Sequence, residues 1–95
     1  MAAYVVAEIE VTDPATYEGY RPLAGAAVEK YGGKFLVRGG KTEAVEGGWA
    51  PKRFVILEFP SMERVKAFYN SPEYQKALAV RLKASTGRLI FVEGA

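Results

Sequence analysis

The 95-residue sequence contains no cysteine and no histidine. Without cysteine there is no disulfide framework, no thiol nucleophile and no thiolate metal site. Without histidine there is no Ser-His-Asp triad, no imidazole general base and no histidine ligand for haem or zinc. Acid–base chemistry near neutral pH therefore requires a carboxyl group with a raised pKa, or a lysine or tyrosine with a lowered pKa. We expect no metal and no cofactor.

The sequence also has no large excess of charge of one sign and no long apolar run. The 13 basic and 11 acidic residues are interleaved and leave a formal net charge of +2. This balance argues against nucleic acid as the partner. No apolar run is long enough for a membrane span, and the amino-terminal residues do not resemble a signal peptide. We therefore expect one globular domain over residues 1–95, located in the cytoplasm, with neither nucleic acid nor membrane as a partner.

Short segments rich in apolar residues, bounded by turn signals, predict four strands. They cover residues 4–11, 34–38, 53–59 and 88–93, and residues 42–46 are a candidate for a further short edge strand. Apolar side chains occupy both sets of alternate positions, as Val5 and Val6 illustrate in the first strand. The pattern therefore does not decide which set faces the helices.

Helix starts and stops lie between these strands. Asp13, followed by proline, predicts a helix over residues 14–31 that a pair of glycines ends. Ser61 predicts the start of a second helix. Ser71, followed by another proline, restarts it, and Gly87 is expected to end it.

The order strand, helix, strand, strand, helix, strand predicts an α+β ferredoxin-like fold, βαββαβ, with a four-stranded antiparallel sheet. Right-handed crossovers place both helices on one face and strands one and three in the centre. The other face keeps large apolar side chains whichever set of residues it carries, so we expect a partner there. A second copy packed sheet face to sheet face makes a symmetric homodimer. The alternative is that the loop around Trp49 covers this face in a monomer.

Several short motifs together resemble family 1330 of domains of unknown function, in the dimeric α/β-barrel superfamily. They are Asp13-Pro14-x-x-Tyr17-x-x-Tyr20, Tyr31-Gly32-Gly33, Leu36-x-Arg38-Gly39-Gly40, Glu58-Phe59-Pro60-Ser61 and Phe68-Tyr69-x-Ser71-Pro72-Glu73-Tyr74, with Arg81 after them. The resemblance covers nearly the whole chain. It implies a ferredoxin-like protomer, two sheets forming an α/β barrel in a dimer, and a cleft between sheet and helices. It implies no reaction, and haem-binding relatives are poor guides because this chain lacks histidine.

Three charged residues interrupt the apolar patterns of predicted elements. Arg38 and Glu58 lie in strands, and Arg81 shares a helix face with Tyr74 and two leucines. A charge at such a position must be paired or must face a cavity, because unpaired burial is costly. The functional interpretation is a pocket for an anion or carboxylate, which an arginine fork would bind. The structural interpretation is either a buried arginine–glutamate pair or an arginine whose apolar stem is buried while its charged end reaches solvent.

Tyrosines on the predicted helices are the other candidates for a ligand site. Tyr17, Tyr20, Tyr69 and Tyr74 could orient an aromatic or carbonyl ligand, or could be core residues whose hydroxyls reach the surface. Tyr69 and Tyr74 are preferred because they flank the Ser-Pro break. The predicted ligand-binding set is Arg38, Glu58, Tyr69, Tyr74 and Arg81.

The sequence thus predicts a homodimeric small-molecule-binding protein. It leaves open whether the protein is a cofactor-free enzyme acting on an apolar, oxygen-bearing substrate or a non-catalytic ligand-binding or interaction module. The RNA-recognition motif has the same strand order, but its glycines and exposed strand aromatics are missing here.

Overall fold

A computed structural model describes all residues 1–95 as four strands and four helices. In chain order they are β1 (Ala3–Val11), α1 (Pro14–Tyr17), α2 (Tyr20–Lys30), β2 (Lys34–Arg38), β3 (Phe54–Phe59), α3 (Met62–Tyr69), α4 (Pro72–Ala84) and β4 (Ser85–Glu93). The strands form one antiparallel sheet in the order β2-β3-β1-β4. The predicted ferredoxin-like fold, with the first and third strands in the centre, is therefore confirmed.

The helices cover the sheet face that carries the odd-numbered residues of β1. Val5 and Ala7 are buried there, whereas Val6 lies on the other side and pairs with Ile56 of β3 and Ile90 of β4. Directly opposed residues share one face of a sheet. We call the side away from the helices the open face. In β1, β3 and β4 it carries Tyr4, Val6, Glu8, Phe54, Ile56, Glu58, Arg88, Ile90 and Val92.

The core lies between the helices and the covered face of the sheet. Val5 and Phe59 from the strands are buried together with Val65 and Phe68 of α3. The rings of Phe59 and Phe68 lie 4.8 Å apart. Burial of such side chains is the main term that holds the helices on the sheet.

The prediction of one helix over residues 14–31 is wrong, because the chain forms α1 and α2 with a break at Glu18 and Gly19. Pro22 gives the reason. It has no N–H to donate to the carbonyl of Glu18, and its ring crowds that carbonyl. Pro22 is tolerated in the first turn of α2, where the N–H groups have no partner within the helix.

The prediction that Gly87 ends the last helix is also wrong. Helix α4 ends at Ala84, and Gly87 lies inside β4, opposite Ile9 of β1. The carbonyl of Ala84 accepts hydrogen bonds from the backbone N–H groups of Thr12 (2.8 Å) and Asp13 (3.0 Å). Since this turn provides hydrogen-bond donors for the last carbonyl of α4, no glycine cap is needed, and the chain continues directly into β4.

The candidate edge strand at residues 42–46 does not form. Gly39 still pairs with β3 through a 2.9 Å hydrogen bond from its N–H to the carbonyl of Phe54. Its φ of +72° then turns the chain away from the sheet. The loop that follows is closed by a hydrogen bond from the hydroxyl of Thr42 to the carbonyl of Pro51. None of the helices has the length and hydrophobicity needed to cross a bilayer.

Candidate functional site

A cavity lies between the covered face of the sheet and helices α2 and α4. Its volume is about 40 Å³. Most of its wall is apolar, and its polar groups are tyrosine hydroxyls and arginine guanidinium groups. The lining residues are Val5, Ala7, Ile9, Tyr17, Tyr20, Arg21, Ala24, Val28, Phe35, Arg38, Arg53, Val55, Leu57, Phe68, Tyr74, Arg81 and Leu89.

Two tyrosine hydroxyls meet in this cavity. The hydroxyl oxygens of Tyr20 and Tyr74 lie 2.9 Å apart and share a hydrogen bond. Tyr20 begins α2, and Tyr74 lies in the first turn of α4. Ser71 positions that turn, because its hydroxyl accepts from the N–H of Tyr74 (3.1 Å) and donates to the carbonyl of Phe68 (2.6 Å).

Both hydroxyls keep their protons near neutral pH. Burial raises the pKa of Tyr20 above its ordinary value, and the neighbouring Tyr74 raises it further. Burial likewise raises the pKa of Tyr74, against smaller opposing effects of Arg81 and of the hydrogen bond with Tyr20. The pair is therefore suited to donating a hydrogen bond to a ligand oxygen and unsuited to removing a proton from a ligand.

Arg81 is the most deeply buried charge in the protein. Its side chain lies two helical turns after Tyr74 on α4, and the residue is only 8% exposed. None of the five ion pairs involves Arg81, and its Nε has no hydrogen-bond partner. The first structural alternative, a buried arginine–glutamate pair, is therefore not formed. Arg81 also lines a groove beside α4 that is open to solvent, which is the position that the second alternative expects. A buried guanidinium N–H without an acceptor is costly to the folded protein.

Arg53 is a second guanidinium group of the cavity with an unsatisfied donor. Its Nε is also buried without a partner, and its Cζ lies 5.6 Å from the ring centre of Tyr17. The side chain packs against Gly39. A Cβ atom at that position would lie 3.0 Å from the Cζ of Arg53 and closer still to its Nη1. The glycine thus provides both the turn after β2 and the space for this arginine.

Two exposed arginines, Arg21 and Arg38, mark where the cavity opens to solvent. Arg38 lies over the ring of Phe35, with 4.1 Å between its Cζ and the ring centre. Arg21 interacts weakly with the exposed Glu18 at 3.8 Å. The lining as a whole contains four arginines and no carboxylate. It is therefore positively charged at its polar positions and apolar elsewhere. No three acidic side chains of the protein lie close enough together to hold a metal ion.

The structure brings three of the five predicted site residues together, since Arg38, Tyr74 and Arg81 all line the cavity. Tyr69 lies outside it. Its ring packs between Tyr74 and Phe91, at centre distances of 5.4 and 5.5 Å. It lines an outer groove beside α4, which Arg81 also lines.

Glu58 lies apart from the other four, on the open face. One of its carboxylate oxygens accepts a hydrogen bond from the hydroxyl of Tyr4 (3.2 Å), and the other forms an ion pair with Lys34 (3.1 Å). It therefore cannot contact a ligand in the cavity of its own chain.

Four polar lining residues, Tyr17, Tyr20, Arg21 and Arg53, fall outside the predicted set. Tyr17 and Tyr20 were candidates, but the preference for tyrosines beside the Ser-Pro break passed over them. Pro22 is the signal that favours Tyr20, because the helix break turns this tyrosine into the start of a new helix. No local signal singles out Arg21 or Arg53, which reach the cavity only through the packing of helix and sheet.

The open face carries its own polar cluster at one end. Glu8 accepts hydrogen bonds from the indole N–H of Trp49 and from Nε of Arg88, both at 2.8 Å. The bond from Trp49, with a smaller effect of Arg88, holds the pKa of the Glu8 carboxyl below its ordinary value. Trp49 also meets the ring of Phe54 edge-on at 5.7 Å. The loop thus covers one end of the open face and leaves Ile90 60% exposed and Val92 41% exposed.

Comparison with solved structures identifies the same fold. A protein of unknown function from Rhodopseudomonas palustris is 20% identical, with a TM-score of 0.78 over 99% of this chain and 82% of its own. A dimeric ferredoxin-like protein of unknown function from Jannaschia sp. CCS1 is 10% identical, with a TM-score of 0.73 over 99% of this chain and 100% of its own.

SnoaB from Streptomyces nogalater, a cofactor-independent oxygenase, is 11% identical, with a TM-score of 0.66 over 99% of this chain and 93% of its own. At these identities the likeness shows the fold alone. No curated protein matches this chain in sequence. The model of a family described as a domain of unknown function, DUF1330, matches residues 2–95. The resemblance seen in the sequence motifs is therefore confirmed, and the chain belongs to the DUF1330 family.

Proposed function

We propose that this protein is a homodimer that binds a small, largely apolar, oxygen-bearing molecule in the cavity between its sheet and helices. The observation that carries the proposal is the cluster of polar groups from Tyr20, Tyr74 and Arg81 in a mostly apolar wall. Ligand sites commonly combine apolar walls with a few convergent polar groups. The apolar wall would take the body of the ligand, and the hydroxyl and guanidinium groups would bind its oxygen atoms.

A purely structural role explains these residues less well. Burying a polar side chain in a protein core costs free energy unless a partner is present. Here Arg81 and Arg53 each keep a buried Nε–H without an acceptor. A ligand oxygen in the cavity would supply that acceptor, which no protein atom supplies.

Binding without catalysis is supported by the titratable groups of the cavity. The only ones in its lining are tyrosines and arginines. Because the pKa values of Tyr20 and Tyr74 are raised, neither hydroxyl serves as a base near neutral pH.

A cofactor-free enzyme is the second candidate. The same donors would stabilise an enolate or another developing oxyanion in an apolar site. SnoaB, which is described as a cofactor-independent oxygenase, shares the fold at 11% identity and so supports only the plausibility of such chemistry on this scaffold. An enzyme of this kind would need a substrate that ionises without a base from the cavity.

A test of binding begins with the ligand itself. We expect native mass spectrometry of the purified protein to show a reproducible bound molecule, which an extract would identify. A neutral probe, phenol, would be titrated in parallel while backbone amide signals are followed by NMR. Shifts confined to the residues around Tyr20 and Tyr74, and weakened by Tyr74→Phe, would support the proposal. The absence of both a co-purified molecule and any saturable binding of phenol, benzamide or benzoate would refute it.

The homodimer part of the proposal rests on the open face. Val6, Ile56, Ile90 and Val92 form its apolar centre, and the Trp49 loop covers only one end. Large exposed apolar surfaces mark interaction sites. A second copy packed face to face would bury this centre, and the solved relative from Jannaschia sp. CCS1 is described as dimeric. That residues 1–95 act as one domain in the cytoplasm stays a prediction from the sequence.

Two matched substitutions test the dimer. Ile90 on the open face and Leu82 on α4 are both exposed, at 60% and 68%. We expect Ile90→Asp to produce a monomer in size-exclusion chromatography with light scattering, because it would bury a charge at the interface. Leu82→Asp should leave the dimer intact. A monomeric wild-type protein, or equal effects of the two substitutions, would contradict the face-to-face arrangement.

A further inference from the structure

The charge balance of the cavity points to the chemical class of its ligand. Four guanidinium groups and no carboxylate line it. We infer that the ligand is a carboxylic acid with a small apolar body, and that its carboxylate is bound by Arg81. This inference rests on the proposed binding function and adds the charge and shape of the bound group.

Tyr20, Tyr74 and Arg81 form the inner end of the cavity, away from the exposed Arg21 and Arg38, and their free hydrogen-bond donors are complementary to an acceptor on the ligand. Tyr20 and Tyr74 together have two hydroxyl hydrogens, and their mutual bond uses one of them. One hydroxyl donor therefore remains for a ligand, beside the unpartnered Nε–H of Arg81. A carboxylate is an acceptor only, and its two oxygens fit a guanidinium fork. A carboxamide of the same size would place its own N–H₂ hydrogens against the guanidinium group.

A carboxylate fits the site better than a phosphate group. A planar monoanion can be matched by one guanidinium fork, whereas a phosphate dianion brings a larger charge into an apolar wall. The inner end offers one guanidinium group and the hydroxyl pair, and Lys is absent from the lining. Arg53, with its own unpartnered Nε–H, is available to a second oxygen on the ligand body.

The size of the cavity limits the ligand and requires movement at the mouth. Its 40 Å³ has room for about one to three waters, whereas the cavity known to hold benzene in another protein measures about 150 Å³. A ring therefore enters only when side chains at the opening move outward. Arg21 and Arg38 are exposed there, so their long side chains can move without disturbing the core.

The experiment compares benzoate, benzamide and phenyl phosphate by isothermal titration calorimetry on the full chain. Benzoate and benzamide have nearly the same shape and differ in charge. We expect benzoate to bind roughly 10- to 100-fold more tightly than benzamide, the range for a charge-assisted hydrogen-bonded pair. In Arg81→Gln this ratio should fall to near one. Arg64→Gln removes the same charge from exposed α3, outside the cavity, and should keep the ratio.

A measurement on the wild-type protein keeps the inference testable if Arg81→Gln does not fold. Benzoate should shift an arginine Nε–H signal in the NMR spectrum, and benzamide should not. Equal binding of benzoate and benzamide by the wild-type protein would overturn the carboxylate inference and leave the proposed binding function standing. Tighter binding of phenyl phosphate would replace the carboxylate with a phosphate. Failure of every probe to bind, together with the absence of a co-purified molecule, would instead refute the proposed function itself.

Discussion

Replacing Gly87 by alanine tests the close approach of β4 to β1. Gly87 lies opposite Ile9, and a Cβ atom there would lie 3.1 Å from the Cα of Ile9 and inside van der Waals contact with the carbonyl oxygen of Glu8. These are backbone atoms, so the strands must separate to admit a methyl group. Overpacking of this kind typically costs about 1–3 kcal/mol.

For a chain of this length, a loss of about 2 kcal/mol lowers the melting temperature by roughly 8–16 °C. The assay is urea and thermal unfolding followed by far-ultraviolet circular dichroism, at one fixed protein concentration because a dimer melts in a concentration-dependent way. Gly40→Ala is the matched control. Nothing lies within 4 Å of a Cβ at Gly40, so this substitution should be neutral or slightly stabilising.

Gly87→Asn distinguishes two explanations for the glycine at this position, which are close approach of the strands and capping of α4. Asparagine tolerates the left-handed conformation of a helix cap, so it would be accepted if Gly87 ended α4. In β4 the larger side chain should be at least as destabilising as alanine. The reasoning is refuted if Gly87→Ala changes the free energy of unfolding by less than about 0.5 kcal/mol, the range of ordinary surface substitutions.

Three further predictions concern the helix side of the protein. In urea unfolding, Tyr74→Phe should lower the free energy of unfolding by about 1–2 kcal/mol, because the buried hydroxyl of Tyr20 loses its partner. The double variant Tyr20→Phe/Tyr74→Phe should lose less free energy of unfolding than the sum of the two single variants. Since burial raises the pKa of both tyrosines in the folded state, stability should be complete below about pH 10 and should fall as pH rises above it, less steeply in that double variant. Ser71→Ala should lower the free energy of unfolding by about 1–2 kcal/mol in the same assay, because it removes the cap of α4 and the bond to Phe68. The control, Ser85→Thr, keeps a hydroxyl at the end of α4 and should lower it by less.

Much of the fold follows from local signals in the sequence. The apolar patterns of β1 and β3, the caps at Asp13, Ser61 and Ser71, and the glycines after Tyr31 each act on neighbouring residues. The order of strands and helices along the chain then predicts an antiparallel sheet with right-handed crossovers. The helix break at Pro22 is also predictable from the sequence, because the missing N–H and the ring clash are local effects. The apolar stripe over residues 20–31 does not reveal this break, since it continues through the proline.

The site depended on the tertiary structure. Alternation tells which residues of a strand share a face, but it does not tell which face the helices cover. That choice separated Glu58, which lies on the open face, from Arg81 in the cavity. Arg53 reaches Tyr17 only because Gly39 turns away after β2 and leaves room for it. The end of α4 likewise needed no glycine, because the turn before α1 satisfies its last carbonyl. The sequence by itself thus determined the order and type of the elements, through interactions between near neighbours. Only the tertiary structure decided which distant side chains share the cavity, since that follows from the packing of helices on one side of the sheet.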